Sequence, residues 1–211
     1  MRIGTTTVWV VMLGCLFIQA QLFARAEGVG PTPGNTLYWT NQGDEKAREQ
    51  DYTGAINDYD KAIGLDPDSA PLYYRRGFAK KLLHKNRAAL ADFTRAIECD
   101  AENAAYYFSR GDMKARLKDY RGALGDYSKA IELDVHNART YYRRGFVKKI
   151  LGDQKGALQD FTRAIELNPE YANAYYQRGR LKKVLGDKQS ALVDFRKAQS
   201  FGKKKASREI E

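Results

Sequence analysis

The chain is poor in the residues that build most catalytic and metal sites. Its 211 residues hold two cysteines, two histidines and five prolines. That is too little for a disulfide scaffold, a dense metal cage or a proline-rich ligand. His84 and His136 fall in different turns, with no cysteine or carboxylate cluster at ligand spacing beside them. No Gly-rich phosphate loop, nucleophile elbow or HExxH string occurs. The sequence therefore predicts a protein without cofactor or metal that is not an enzyme. It has 43% hydrophobic and 29% charged residues, the mix of a folded soluble domain. Lysine plus arginine number 36 against 26 acids, a net charge of +10. Fourteen tyrosines and nine phenylalanines are many for this length.

Residues 1–26 lack any acid. Arg2 precedes an apolar run of eleven residues, Val8 to Ile18, and Ala24-Arg25-Ala26 follows. A positive start, a short apolar core and a small-x-small exit read as a secretory signal peptide cleaved after Ala26. Eleven apolar residues fall short of the ~20 that span a bilayer, so no transmembrane span is expected after cleavage. The expected localisation is exported, periplasmic or secreted. A lipoprotein reading through Cys15 is weaker, because the apolar stretch continues through Phe17 and Ile18. Cleavage removes Arg2 and Arg25, lowering the charge to +8, and leaves Cys99 without an internal disulfide partner. Residues 27–35 hold two prolines and three glycines and read as a linker.

One period organises the rest. Gly43, Gly77, Gly111, Gly145 and Gly179 lie 34 residues apart. Ala55, Ala89, Ala123, Ala157 and Ala191 keep that interval, as do Tyr59, Phe93, Tyr127, Phe161 and Phe195. Five repeats follow, 36–69, 70–103, 104–137, 138–171 and 172–205, with a polar tail at 206–211. Within each, apolar and small residues recur at helical spacing in two halves joined by a polar turn such as Gly152-Asp153. Small residues facing large rings are a close-packing pattern.

These residues resemble the tetratricopeptide repeat family. Its pattern runs aromatic-x-x-Leu-Gly-x-x-Tyr, then Ala-x-x-x-Phe, then Pro, with period 34. Trp39, Tyr73, Tyr107, Tyr141 and Tyr175 stand at the leading aromatic; Pro67 and Pro169 stand at the closing proline. The resemblance implies an all-α fold, an α-solenoid of helix-turn-helix repeats wound as a right-handed superhelix. Two departures matter. The family leucine is replaced by Gln42, Arg76, Arg110, Arg144 and Arg178, and the family tyrosine by Lys46, Lys80, Lys114, Lys148 and Lys182. Such charges between helices need partners. Asp92, Asp126, Asp160 and Asp194 lie three residues after the motif alanine. The expected structural ion pairs are Arg76 with Asp92, Arg110 with Asp126, Arg144 with Asp160 and Arg178 with Asp194, or with the same aspartate one repeat away.

A longer period is nested in the short one. Residues 43–66 and 111–134 agree at 16 of 24 positions, and 73–98 and 141–166 at 18 of 26. The chain reads as a duplicated 68-residue pair plus a fifth repeat. The resemblance implies that the first helix of each repeat lines a concave side. Its candidate residues are Tyr74, Phe78, Lys81, Tyr142, Phe146 and Lys149 in even repeats, with Phe108, Asp112 and Ala115 in the third. The fifth adds Tyr176, Arg180 and Lys183, and Arg139 flanks the groove with Arg75 and Arg143. Two readings stay open: rings packed between repeats with solvated lysines, or an aromatic and cationic groove gripping a ligand. The asparagine set of the family's carboxylate clamp has no counterpart, Asn41 alone standing near the stripe.

The expected function is a protein–protein scaffold or adaptor of the bacterial cell envelope, holding acidic and apolar peptide segments in that groove. A charge-driven binder of a polyanion or anionic surface is the alternative. The expected partner is an acidic protein or peptide, with no nucleic acid. Only ten residues follow Phe201, too few for a full capping helix. The outer face near Leu192, Phe195 and Phe201 is therefore expected to be thinly covered, open either to fraying or to self-association through the last repeat.

Overall fold

A computed structural model describes residue 32 and residues 34–210. The signal-peptide and lipoprotein expectations on residues 1–26 lie outside the described residues. Ten helices follow one another in pairs, with no strand among the described residues. The chain divides into two compact bodies, one ending at Pro67 and one beginning at Asp68.

The first body holds α1 (Thr36–Arg48) and α2 (Tyr52–Leu65). They pack as a hairpin, with Ala55, Tyr59 and Ala62 of α2 buried. The second holds α3 (Ala70–Leu82), α4 (Asn86–Cys99), α5 (Ala104–Arg116), α6 (Tyr120–Leu133), α7 (Ala138–Ile150), α8 (Gln154–Leu167), α9 (Ala172–Val184) and α10 (Lys188–Ser200). Within this body each odd helix pairs with the even helix after it, and α4, α6 and α8 each pack on the next odd helix. The four hairpins thus stack into one continuous array.

Glycine sets how closely each hairpin closes. A Cβ on Gly77 would lie 2.9 Å from Cε1 of Phe93 and 3.1 Å from Cβ of Asp92. Gly111, Gly145 and Gly179 meet Tyr127, Phe161 and Phe195 in the same way. Beside each ring the motif alanines Ala89, Ala123, Ala157 and Ala191 are fully or almost fully buried. Every hairpin therefore buries one large ring under a bare backbone, which maximises dispersion contacts in a thin layer.

The hairpin turns share one backbone. Gln50, His84, Lys118, Gly152 and Gly186, again 34 apart, all take positive φ. The residue after each is the N-cap of the second helix. Asp51, Asp119, Asp153 and Asp187 accept a hydrogen bond from the backbone N–H three residues on. The second repeat keeps the positive φ, at the non-glycine His84, but breaks the cap rule, with Lys85 making no side-chain bond. A left-handed non-glycine residue costs about 1 kcal/mol, and a missing cap about 1 kcal/mol.

After α10 the chain turns at Gly202 (φ 84°) into a 3-10 turn, Lys204–Glu209. Ala206 is fully buried against Ala191, Phe195 and Ala198, and Ile210 packs beside it. The expectation of a thinly covered last face is therefore corrected. A full helix is unnecessary: glycine reverses the chain, and a small alanine fits flat on the ring layer.

The paired substitution His84→Gly with Lys85→Asp copies the fourth and fifth repeats. It should raise stability by about 1–2 kcal/mol in urea unfolding. A midpoint unchanged or lowered would refute this account of the turn.

Candidate functional site

The inter-helix charges converge on one carboxylate per repeat. Arg76 donates through Nε (3.0 Å) and Nη2 (2.7 Å) to the two oxygens of Asp92, and Lys80 Nζ stands 2.8 Å from the same group. Arg110 and Lys114 meet Asp126, Arg144 and Lys148 meet Asp160, and Arg178 and Lys182 meet Asp194, all at 2.7–2.9 Å. The partner lies within the repeat, on the second helix of the same hairpin. Each aspartate is buried, so a fork-shaped donor and an ammonium together satisfy a carboxylate that has lost its water. In the first body, where Gln42 replaces the arginine, Asp58 takes Lys46 and Lys61 instead. Each guanidinium of the second body also lies over the leading tyrosine of its repeat, at 5.4–5.6 Å. Arg144 and Arg178 reach back to Ser128 and Thr162 of the preceding repeat. These groups are thus spent within the fold and do not face a ligand.

Asp160→Ala would strand Arg144 and Lys148 between two helices. A loss of about 3 kcal/mol is expected in chemical denaturation, against about 0.5 kcal/mol for Glu166→Ala on the exposed face. Equal losses would show that the buried charge centre carries no special weight.

The candidate groove residues fall into three groups. Tyr74, Phe78, Lys81, Phe108 and Arg139 line one cleft of about 420 Å³, together with Asn103, Asp134 and Asn137. Phe78 is 42% exposed into it. Arg139 lies 5.0 Å over the ring of Phe108, and Lys81 5.3 Å over that of Phe78. Tyr74 is half-buried, packing on Phe93 and Tyr106. The second group is Tyr142, Phe146 and Lys149. Tyr142 packs on Phe161 and Tyr171, the inter-repeat role of Tyr74 over again. Lys149 lies 4.8 Å over Phe146 and donates to Gln177 at 2.6 Å. Phe146 also lines a smaller cleft of about 190 Å³ with Arg116, Tyr120 and Arg143. In the third group Tyr176 sits between Arg180 and Lys203. Lys183 is drawn away to Glu209 of the C-terminal turn, at 2.8 Å.

Burial costs the two groove lysines. Loss of water pulls Lys81 below the ordinary lysine value, with Asp112 only partly offsetting it. Lys149 is lowered by the same burial, and Arg180 adds repulsion. An anion arriving beside either would relieve that cost.

Asp112, a stripe position of the third repeat in the sequence, is a charge centre of its own in the structure, with partners the sequence reading does not name. It is 5% exposed and accepts a 2.7 Å hydrogen bond from the Tyr127 hydroxyl. Lys81 of the repeat before and Arg143 of the repeat after both stand 3.5 Å from it. Asp112 thus touches both clefts' walls. A signal for it exists in the sequence: wherever this position is aspartate the facing ring is tyrosine (Asp44 with Tyr59, Asp112 with Tyr127), and where it is phenylalanine the ring is phenylalanine (Phe78 with Phe93, Phe146 with Phe161). In the first body Tyr59 likewise donates to Asp44, at 2.7 Å. The 68-residue period therefore alternates a hydroxyl–carboxylate pair with phenylalanine at both positions.

Family models described as TPR repeat and tetratricopeptide repeat match residues 43–83, 83–144, 138–171 and 172–201. The chain belongs to the tetratricopeptide repeat (TPR) family. No curated protein matches it in sequence. Among solved structures, one of MamA superposes with a TM-score of 0.74 at 24% identity, over 83% of this chain and 96% of MamA. A segment of MamA from Desulfovibrio magneticus RS-1 gives 0.74 at 17%, over 79% and 94%. YrrB, described as a TPR protein with an unusual peptide-binding site, gives 0.71 at 22%, over 85% and 92%. These likenesses show that the fold is a TPR α-solenoid. In it, the arginines and lysines that replace the usual TPR leucine and tyrosine form the aspartate centres, while the groove lysines Lys81 and Lys149 stand one residue after the centre lysines Lys80 and Lys148.

Proposed function

We propose that this TPR protein is a non-catalytic protein–protein scaffold of the bacterial cell envelope, binding acidic and apolar peptide segments along its ring- and cation-lined clefts. The carrying observation is the first cleft. Phe78 and Phe108 offer apolar area there, while Lys81 and Arg139 lie over those rings with their charge incompletely neutralised. Rings with cations above them favour a segment in which an apolar side chain neighbours a carboxylate. The Asn103 and Asn137 side chains at the rim cap their own helices, to Ala105 and Thr140 respectively, and so stand fixed. YrrB's description as a peptide-binding TPR protein supports the class of ligand. Placement in the envelope rests on the N-terminal reading, a signal cleaved after Ala26, and N-terminal sequencing of the protein from an envelope fraction tests it.

Calorimetric titration with short peptides alternating Asp or Glu with Leu or Phe tests the groove. Phe78→Ala or Phe108→Ala should weaken binding about tenfold, and Arg139→Ala about fivefold with a flatter salt response. Binding that ignores the ring substitutions, falls steeply with salt and extends equally to heparin would replace the groove by a charge-only polyanion binder.

A further inference from the structure

The second body's two long edges carry opposite character. Because its hairpins stack side by side, all four turns inside hairpins lie along one edge, and the turns between repeats along the other. The between-repeat segments 98–103, 132–137 and 166–171 contain seven acids and no lysine or arginine. The within-hairpin segments 82–87, 116–121, 150–155 and 184–189 contain seven lysines and arginines, all exposed. Their only acids are Asp119, Asp153 and Asp187, and each is engaged as a helix cap.

The basic edge is also studded with aliphatic side chains. Leu82, Leu117, Ile150, Leu151, Val184 and Leu185 are all large apolar residues left exposed, Val184 reaching 74%. They sit at or beside the tips of turns, and all but Ile150, which also lines the smaller cleft, stand outside both clefts. A protein partner would need a row of sockets at the hairpin spacing. A bilayer needs none, because its interfacial layer accepts projecting aliphatic groups anywhere, and its anionic headgroups answer the cations between them.

We propose that this edge docks on an anionic phospholipid surface, with the aliphatic turn tips entering the interface and the acidic edge held outward by repulsion. The first cleft, which carries the peptide reading, shares no lining residue with this edge, although Arg116, Tyr120 and Ile150 of the edge also line the smaller cleft; the proposal therefore does not rest on peptide binding in the first cleft. Its source is a membrane surface and not a second copy: among the described residues of the body's acidic edge, Val135 is the single exposed large aliphatic, too little to receive the row of tips.

Co-sedimentation of the full chain with vesicles tests it. Phosphatidylcholine vesicles give the background, including any contribution of the N-terminal apolar run, and vesicles with roughly a third of phosphatidylglycerol give the anionic increment. The wild type should show a clear increment that shrinks as salt rises. Val184→Ser with Leu185→Ser should cut it about tenfold, and Lys118→Glu with Arg121→Glu by at least about tenfold, with unchanged helical circular dichroism. Both pairs are exposed, so neither depends on repacking the core. Equal binding to both vesicle types, or an increment indifferent to both variants, would overturn the proposal. So would a chain that ignores vesicles but forms oligomers lost in the same variants, an outcome that assigns the edge to a second copy.

Discussion

The structure depends on how near two helices can come at a glycine. At Gly77 the would-be Cβ position is crowded by two groups at once, the ring of Phe93 and the Cβ of Asp92. One missing methyl therefore seats the apolar core of the hairpin and its charge centre together. With the helices so close, the aspartate is brought under the arginine three residues beyond the leading tyrosine and one before the glycine. The ion centre is thus a consequence of close packing as much as a support for it. A buried carboxylate with a single partner would be a liability in such a thin layer; with a two-pronged guanidinium and an ammonium it is satisfied. Repetition of this motif four times in the second body explains how an array without a deep core holds its register.

The basic surplus of the chain is not one property but three. Arginine and lysine at each aspartate centre share one carboxylate inside the hairpin, leaving a single positive charge per centre held between the helices. Lys81 and Lys149 stand over rings in clefts where burial lowers both, while Arg139, over Phe108, stays exposed. The turn-edge cations remain in water, where a charge acts over roughly a Debye length and orients the molecule more than it grips. Net charge alone merges these roles, and the structure separates them by depth.

Much of this organisation is visible in the sequence, for identifiable reasons. A fixed interval of 34 residues specifies the helix pairs, because small and large residues at constant spacing leave one way to interlock. The arginine–aspartate pairs are readable since both departures from the family pattern recur together and opposite charges between helices must meet. Lysine's share in those centres is less visible: Lys80 lies one turn beyond Arg76, and only the depth of Asp92 shows that both reach it. The fate of Lys183 depends on a tail that folds back through Gly202, a tertiary event with no periodic trace. Asp112 stands on the stripe in the sequence, but its partners are not legible there: it gathers the tyrosine of its own repeat and two cations from neighbouring repeats.

That gathering bears on what the groove can hold. The ring–cation group of Phe78 and Lys81 recurs two repeats later as Phe146 and Lys149, with Asp112 between them. Helices pack roughly 8–10 Å apart, so two repeats separate the groups by on the order of 20 Å. An extended strand covers that distance in about six residues at 3.3 Å each. A segment with carboxylates at its two ends would suit both cation groups, while its middle would pass over Asp112, whose charge is already met by Lys81 and Arg143. Asp112 fixes Tyr127 and draws Lys81 and Arg143 inward, so the two cation groups are held at a set distance by the fold itself. If the groove takes acidic segments as proposed, the spacing of their carboxylates would then matter as well as their number.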